Sequence, residues 1–239
     1  MPITNHYKSL LEKAGKNLNE ILGNYESKKG LTICHNYIDD FDALNRAIRG
    51  RPEQEVFYLA IKEYHFALFA LTSGQYRHAF VGLRLFFELM LAAISFSANE
   101  FDYRMWLKGR KDINWCALID SDKGVLSKNF IFAFNSEFSE HAAEHLAIAS
   151  KIYRELSEFV HGNANSHESI PPNFSFDSEI HKTWIKKASS VRDVILYCYS
   201  ARYLDFLDKA DLKNLEPLLI DAIGHLPAIQ FIYNKQEQI

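Results

Sequence analysis

Residues 75–98 read QYRHAFVGLRLFFELMLAAISFSA, and the reading of this stretch decides the fold. Phe80, Leu83, Phe87, Leu91 and Ile94 recur at steps of three and four, the period of one face of an α-helix. The run from Val81 to Ala98 is apolar enough to raise the question of a membrane span, yet Arg84 and Glu88 lie inside it. Each charge would cost roughly 3 kcal/mol at a bilayer centre. A helix buried in a protein core, with the two charges one turn apart, accommodates the pattern better, and no membrane span is expected.

The same periodicity extends in both directions. Toward the N-terminus it predicts helices over about 3–22, 37–49 and 53–71, the first carrying Ile3, Tyr7, Leu10, Leu11, Leu18, Ile21 and Leu22 on its apolar side. Gly23-Asn24 stops the first, Pro52 suits the first turn of the third, and Ser73-Gly74 ends it. Beyond residue 98, residues 99–135 read as short helices and turns, with 124–135, GVLSKNFIFAFN, the one place that could hold a strand. A helix follows from Ser136 or Ser139 to His161, with Glu137 and Glu140 at the positive end of its dipole and Gly162-Asn163 as a stop signal. Residues 163–178, with Pro171-Pro172, are polar and read as a linker. Helices at about 179–208 and 215–223 complete the chain. The fold class expected is all-α: a bundle of six to eight helices in a single domain over 1–239. N-terminal helices fill 1–52, a core takes in 53–162 and 179–208, and a helical tail occupies 209–239.

Composition agrees. The chain has 239 residues, 48% hydrophobic and 24% charged, which excludes a mainly disordered protein. Ten Gly and six Pro supply little of the punctuation that a strand-and-turn protein needs. Lys plus Arg is 27 against 30 for Asp plus Glu, a formal net charge of −3, so non-specific coating of nucleic acid is disfavoured and any RNA contact must be local. Cys34, Cys116 and Cys198 are far apart and set among apolar residues, the pattern of reduced core thiols in a cytoplasmic protein. The first residues, MPITNHYKSLLEKAG, lack the apolar core of a signal peptide.

The sharpest local feature is Tyr153-Arg154-Glu155-Leu156-Ser157-Glu158-Phe159-Val160-His161-Gly162-Asn163. At 100° per residue, Arg154 and His161 differ by only about 20° around the helix and Glu158 lies about 40° from Arg154, with Ser157 flanking. One helix edge thus offers a guanidinium, a carboxylate and an imidazole. An imidazole can exchange protons with the 2′-OH and the leaving 5′ oxygen of RNA. A guanidinium can hold the scissile phosphate and its transition-state charge. Arg154 and His161 are separated by about 10 Å along the axis, too far to converge from one helix, so the enzymatic reading implies two such helices brought together. The bland alternative is an Arg154–Glu158 i,i+4 pair with a dipole-compensating His161.

This stretch resembles the Arg-x(4–6)-His motif of HEPN domains, at its longest spacing. Gly82-Leu83-Arg84-Leu85-Phe86-Phe87-Glu88 is similar to the Arg/Glu-bearing core helix of many HEPN proteins. With the Trp106 region, the likeness extends over about residues 55–205 and is to bacterial HEPN-like proteins of the toxin and phage-defence type. The resemblance implies an up-and-down helical core that dimerises across its motif helices. It also implies a metal-independent endoribonuclease that leaves a 2′,3′-cyclic phosphate and a 5′-OH, with Arg154 and His161 as catalytic residues. Glu158 would assist, with Arg84, Glu88, Ser157 and Asn163 in support. RNA, tRNA included, is the implied substrate, with a homodimer or hetero-oligomer as the assembly and an antitoxin or defence-complex protein as a further partner. No metal or other cofactor is implied. The family's Arg is often followed by Asn, Asp or His; Glu155 departs from this and would repel a phosphate.

Other candidates have two readings each. Arg84 and Glu88 either support the motif or form a packing ion pair. Arg104, Trp106, Lys108, Arg110 and Lys111 form a basic stretch with an aromatic, suited to RNA backbone and base stacking, or a solvated turn anchored by Trp106. His141 and His145 stand at metal-ligand spacing with no further ligand nearby, and read as surface histidines. Lys182, Lys186 and Lys187 read as a solvated helix face. Phosphate-loop, dinucleotide-binding and nucleophile-elbow patterns are absent. Two functions remain open: a ribonuclease acting as a toxin or antiviral effector, and a non-catalytic helical module that binds a partner protein or RNA in a defence complex.

Overall fold

In the computed structural model, residues 2–161, 170–171 and 174–236 are described. They form eleven α-helices and no strand. The first four are α1 (Ile3–Gly23), α2 (Tyr25–Ala47), α3 (Gln54–Thr72) and α4 (Tyr76–Phe96). Three short ones follow: α5 (Glu100–Leu107), α6 (Trp115–Leu118) and α7 (Lys128–Phe134). A 3-10 turn (Ser136–His141) leads into α8 (Ala142–Val160). Then come α9 (Ser178–Tyr203), a second 3-10 turn (Leu204–Phe206), α10 (Lys209–Ile223) and α11 (Pro227–Gln236).

The all-α expectation holds, with more and shorter helices than six to eight. The strand allowed for 124–135 is absent: Ser127 caps the amide of Phe130, and the aromatic run KNFIFAF coils into α7. Helix α2 starts at Tyr25 rather than residue 37, because Asn24 accepts from the amide of Ser27 and Glu26 occupies the first turn. Its Gly30 is a point of close approach: a Cβ there would stand 3.3 Å from Ile185 of α9. The expected 136–161 helix begins as a 3-10 turn, capped by Asn135 on the amide of Glu137. Helix α9 stops at Tyr203, and α10 begins six residues before the expected 215, at Lys209, where Asp208 caps it.

Helix α4 is the axis of the bundle. By length and composition it could cross a membrane, but most of it is buried among α3, α8 and α9. Phe80, Leu83, Phe86, Phe87, Met90, Leu91 and Ile94 are sealed from solvent. The α3–α4 hairpin turns at Gly74, whose φ of +74° suits glycine. The buried apolar residues form one continuous core from Cys34 to Tyr233. Tyrosine hydroxyls lock its registers: Tyr64 donates to the Cys34 carbonyl, Tyr199 to Leu44 and Tyr197 to Phe138, at 2.7–2.9 Å. The Tyr37–Ser189, Asp40–Arg192 and Leu44–Tyr199 contacts make α2 and α9 parallel neighbours.

Burial corrects two readings of single residues. Cys34 and Cys198 are core thiols, and burial pushes the Cys34 thiol up to about 12, but Cys116 is exposed. His145 is not at the surface: its ring stacks on Tyr197 at 3.7 Å, its Nδ1 lies 3.0 Å from the His141 carbonyl, and burial lowers its pKa.

Candidate functional site

Helix α8 lies antiparallel to α4. Arg77 near the start of α4 reaches the Phe159 carbonyl in the last turn of α8 at 2.8 Å, and Arg84, two turns on, reaches Tyr153. Phe80 stacks on Phe159 at 3.9 Å and Trp115 on Tyr153 at 3.7 Å. Ile152 and Leu156 are buried below. The inner face of α8 is thereby fixed against α4, and the guanidinium of Arg77 satisfies a carbonyl that the helix end leaves open.

The opposite edge stays open. Arg154, Glu158 and His161 are all exposed, and the backbone of His161 closes α8 through its amide to Ser157 at 3.1 Å. The Arg154–Glu158 ion pair expected from i,i+4 spacing does not form, and Arg154 makes no ion pair with any described residue. Ser157 is occupied, donating to the Tyr153 carbonyl at 2.6 Å. Asn163, and the Gly162-Asn163 stop signal with it, lie outside the described residues. Glu155, the departure from the family pattern, is paired with Lys187 of α9. Lys187 is thus a tether between helices rather than part of a solvated face, and the carboxylate beside Arg154 is balanced by a cation.

Arg84 and Glu88 do not reach this edge. Arg84 meets Glu88 at 3.2 Å and the Tyr153 hydroxyl at 2.5 Å, and that hydroxyl donates to Glu88 at 2.6 Å. Burial, followed by the Glu88 carboxylate, pushes the Tyr153 phenol up to about 12. The three side chains close a half-buried network that holds α8 on α4, which is a packing role. Tyr153 was quoted in the motif but given no part. Its place one residue before Arg154, about 100° round the helix and on the side of Ile152 and Leu156, was the signal.

The basic stretch 104–111 is not brought to the α8 edge either. Trp106 packs on Phe96 and Tyr103. Phe96 lies sixteen residues along α4 from Phe80, the contact of Phe159, or about 24 Å. Arg104 pairs with Glu100 at 2.6 Å and Lys111 with Asp102 at 2.6 Å, leaving Lys108 and Arg110 exposed without ion pairs among the described residues. No cluster of three or more His, Cys, Asp or Glu able to hold a metal occurs among the described residues.

A second charged locus went unread in the sequence. A cleft of about 510 Å³ between α2, α9 and α10 includes Asp39, Asp40, Asp221 and Arg192. Arg192 is buried, binds Asp40 at 2.8 Å and Asp221 at 3.4 Å, and lies over the Tyr37 ring. Its position between Val191 and Val194 hides it within an apolar stripe. Chemically, the α8 edge offers one cation and one imidazole about 10 Å apart along the axis, half of what a phosphodiester needs. In comparisons with protein families, with curated proteins and with solved structures, nothing matches this chain.

Proposed function

We propose that the chain is a HEPN-like, metal-independent endoribonuclease of the toxin or antiviral-effector type, whose site is completed when two α8 edges meet. One observation carries this reading: Arg154 and His161 stand exposed on one edge of α8 without ion pairs among the described residues, while Glu155 between them is neutralised by Lys187. Ala143 and Ala147 are exposed at the start of the same edge, small enough for a second helix to approach closely. Across a two-fold axis, the pair supplies two guanidiniums and two imidazoles. One His161 takes the 2′-OH proton as the 2′ oxygen attacks phosphorus, and the other protonates the departing 5′ oxygen. Arg154 holds the non-bridging oxygens as charge builds on them. The products are a 2′,3′-cyclic phosphate and a 5′-OH, and DNA, lacking the 2′-OH, is not cut.

The test is cleavage of total RNA and tRNA in EDTA, with circular dichroism to verify folding. Arg154→Ala and His161→Ala are each expected to lower the rate by on the order of 100-fold or more. Equal cleavage by wild type and both variants sinks the assignment. The second reading is a non-catalytic helical module that binds a partner protein or RNA. It is favoured by the distance of the 104–111 stretch from α8 and by the pairing of Arg104 and Lys111. Under it, RNA stays intact and both variants behave as wild type.

A further inference from the structure

Helix α1 is joined to the bundle by one side of its C-terminal half. Ile21 and Asn17 are buried, and the Asn17 amide donates to the Thr72 carbonyl at 2.8 Å. Residues 2–8, by contrast, are all exposed. Along the helix runs a second apolar stripe, most open toward the N-terminus: Tyr7 is 59% exposed and Leu11 75%, while Leu18 at 36% and Leu22 at 46% are partly covered by the bundle, and Ile3, 73% exposed, lies beside it on the side of Ile21. Tyr7, Leu11, Leu18 and Leu22 fall within an arc of about 60°, distinct from the side that carries Asn17 and Ile21. Two turns of helix with no support from their own fold are marginal in water, and an apolar stripe on them argues for a cover.

The stripe is almost its own mirror image. Leu11 and Leu18 stand equally far from the Ala14–Gly15 peptide, as do Tyr7 and Leu22. The midpoint carries two small residues, Ala14 and Gly15, and nothing lies within 4 Å of where a Cβ on Gly15 would be. A two-fold contact requires this arrangement: each residue meets its counterpart on an antiparallel copy, and the axis passes where the backbones come closest. A helix of 21 residues is about 31 Å long, and half of its surface is on the order of 500 Å². A standard interface takes about 800 Å² from each partner.

We infer that α1 is a pairing surface on which a second copy of this chain docks antiparallel, centred on Ala14–Gly15. Sedimentation of the full chain over a wide range of concentration is expected to show a reversible self-association through α1, additional to any pairing of α8 edges. The double substitution Leu11→Glu, Leu18→Glu should weaken it by on the order of 100-fold. Leu11 is exposed and Leu18 partly so, and circular dichroism verifies that the double variant keeps its fold. Orientation is read by oxidative cross-linking in a Cys116→Ser background, which removes the exposed native thiol. Ala14→Cys should cross-link. Tyr7→Cys should not, since antiparallel pairing sets its two copies about 22 Å apart, beyond the 7 Å or so that a disulfide spans. A chain that stays monomeric throughout overturns the inference. So does self-cross-linking at Tyr7 in preference to Ala14, or a dimer that survives the double substitution and is broken instead by Ala147→Glu. That last outcome would leave pairing through α8 intact and remove it from α1.

Discussion

His181 sits in the first turn of α9 with its ring shut away from solvent and its Nε2 without a hydrogen-bond partner among the described residues. Burial pushes its pKa down to about 4, from an ordinary value near 6.5. The sign of the consequence follows from linkage. The unfolded chain takes up a proton as pH falls through about 6.5, whereas the folded chain resists until about 4. Stability contributed by neutral His181 is therefore full above about pH 6.5 and is lost progressively toward pH 4. Between pH 7 and pH 5 the loss is about 2 kcal/mol. Urea unfolding at the two pH values should show a fall of at least that size in wild type and one smaller by about that amount in His181→Leu. His145, buried and shifted the same way, keeps a residual slope in the variant. Equal slopes in both proteins would mean that His181 is hydrated or bonded in solution. The same logic of burial separates Tyr153 from Arg154. One phenol closes a network with Arg84 and Glu88, and the next side chain stands in solvent, so adjacent residues serve packing and candidate chemistry respectively.

Helix pairs meet where side chains are missing. A Cβ on Gly82 of α4 would lie 3.0 Å from the Cβ of Ala67 and 3.2 Å from its Cα, and the Cα belongs to the backbone of α3 and cannot swing aside. Gly82→Ala would gain about 1 kcal/mol of helix propensity. Forcing the two helices apart costs about 1–3 kcal/mol in a close-packed core. Clash is expected to win, lowering the melting temperature by a few degrees in differential scanning calorimetry; a rise would show that α3 and α4 adjust freely. Glycine is also where the sequence was hardest to read. Gly30 and the polar residues around it hid the first three turns of α2, because glycine signals a break when taken alone and a close contact when a partner such as Ile185 is known. The aromatic KNFIFAF run carried strand propensity but folded as α7, since no second strand exists among the described residues to pair with it. Among helices with long three-four stripes, α3 and α4 were legible almost to their ends and α9 up to its last turn, because burial of a face sets the period, whereas α1 was legible from its period alone, most of its apolar side being exposed.

For the molecule as a whole, the order of the helices was readable and the meeting of their charged groups was not. Arg154, Glu158 and His161 were visible as a set because one helix carries them. The Glu155–Lys187 tether joins residues 32 apart, and the Arg192 pair with Asp40 spans 152, separations that no local spacing rule reaches. Those long-range pairs matter for how the chain would bind RNA. A net charge of −3 disfavours non-specific coating of a polyanion. Binding at paired α8 edges would neutralise only about three phosphates. Since the logarithm of affinity for single strands falls with the logarithm of salt at about −0.7 per phosphate, the slope should be shallow, near −2. Fluorescence anisotropy on a cleavage-resistant 2′-O-methyl RNA measures it directly. Arg154→Ala should bring the slope toward zero by about 1.4, because the pair loses two phosphate contacts at about 0.7 each. Charge reversal at Lys108 and Arg110 should leave the slope unchanged, because those groups lie near the other end of α4. A slope steeper than about −5, or one that responds to Lys108 and Arg110 rather than to Arg154, would move the RNA contact to the 104–111 end and leave the α8 edge without a substrate.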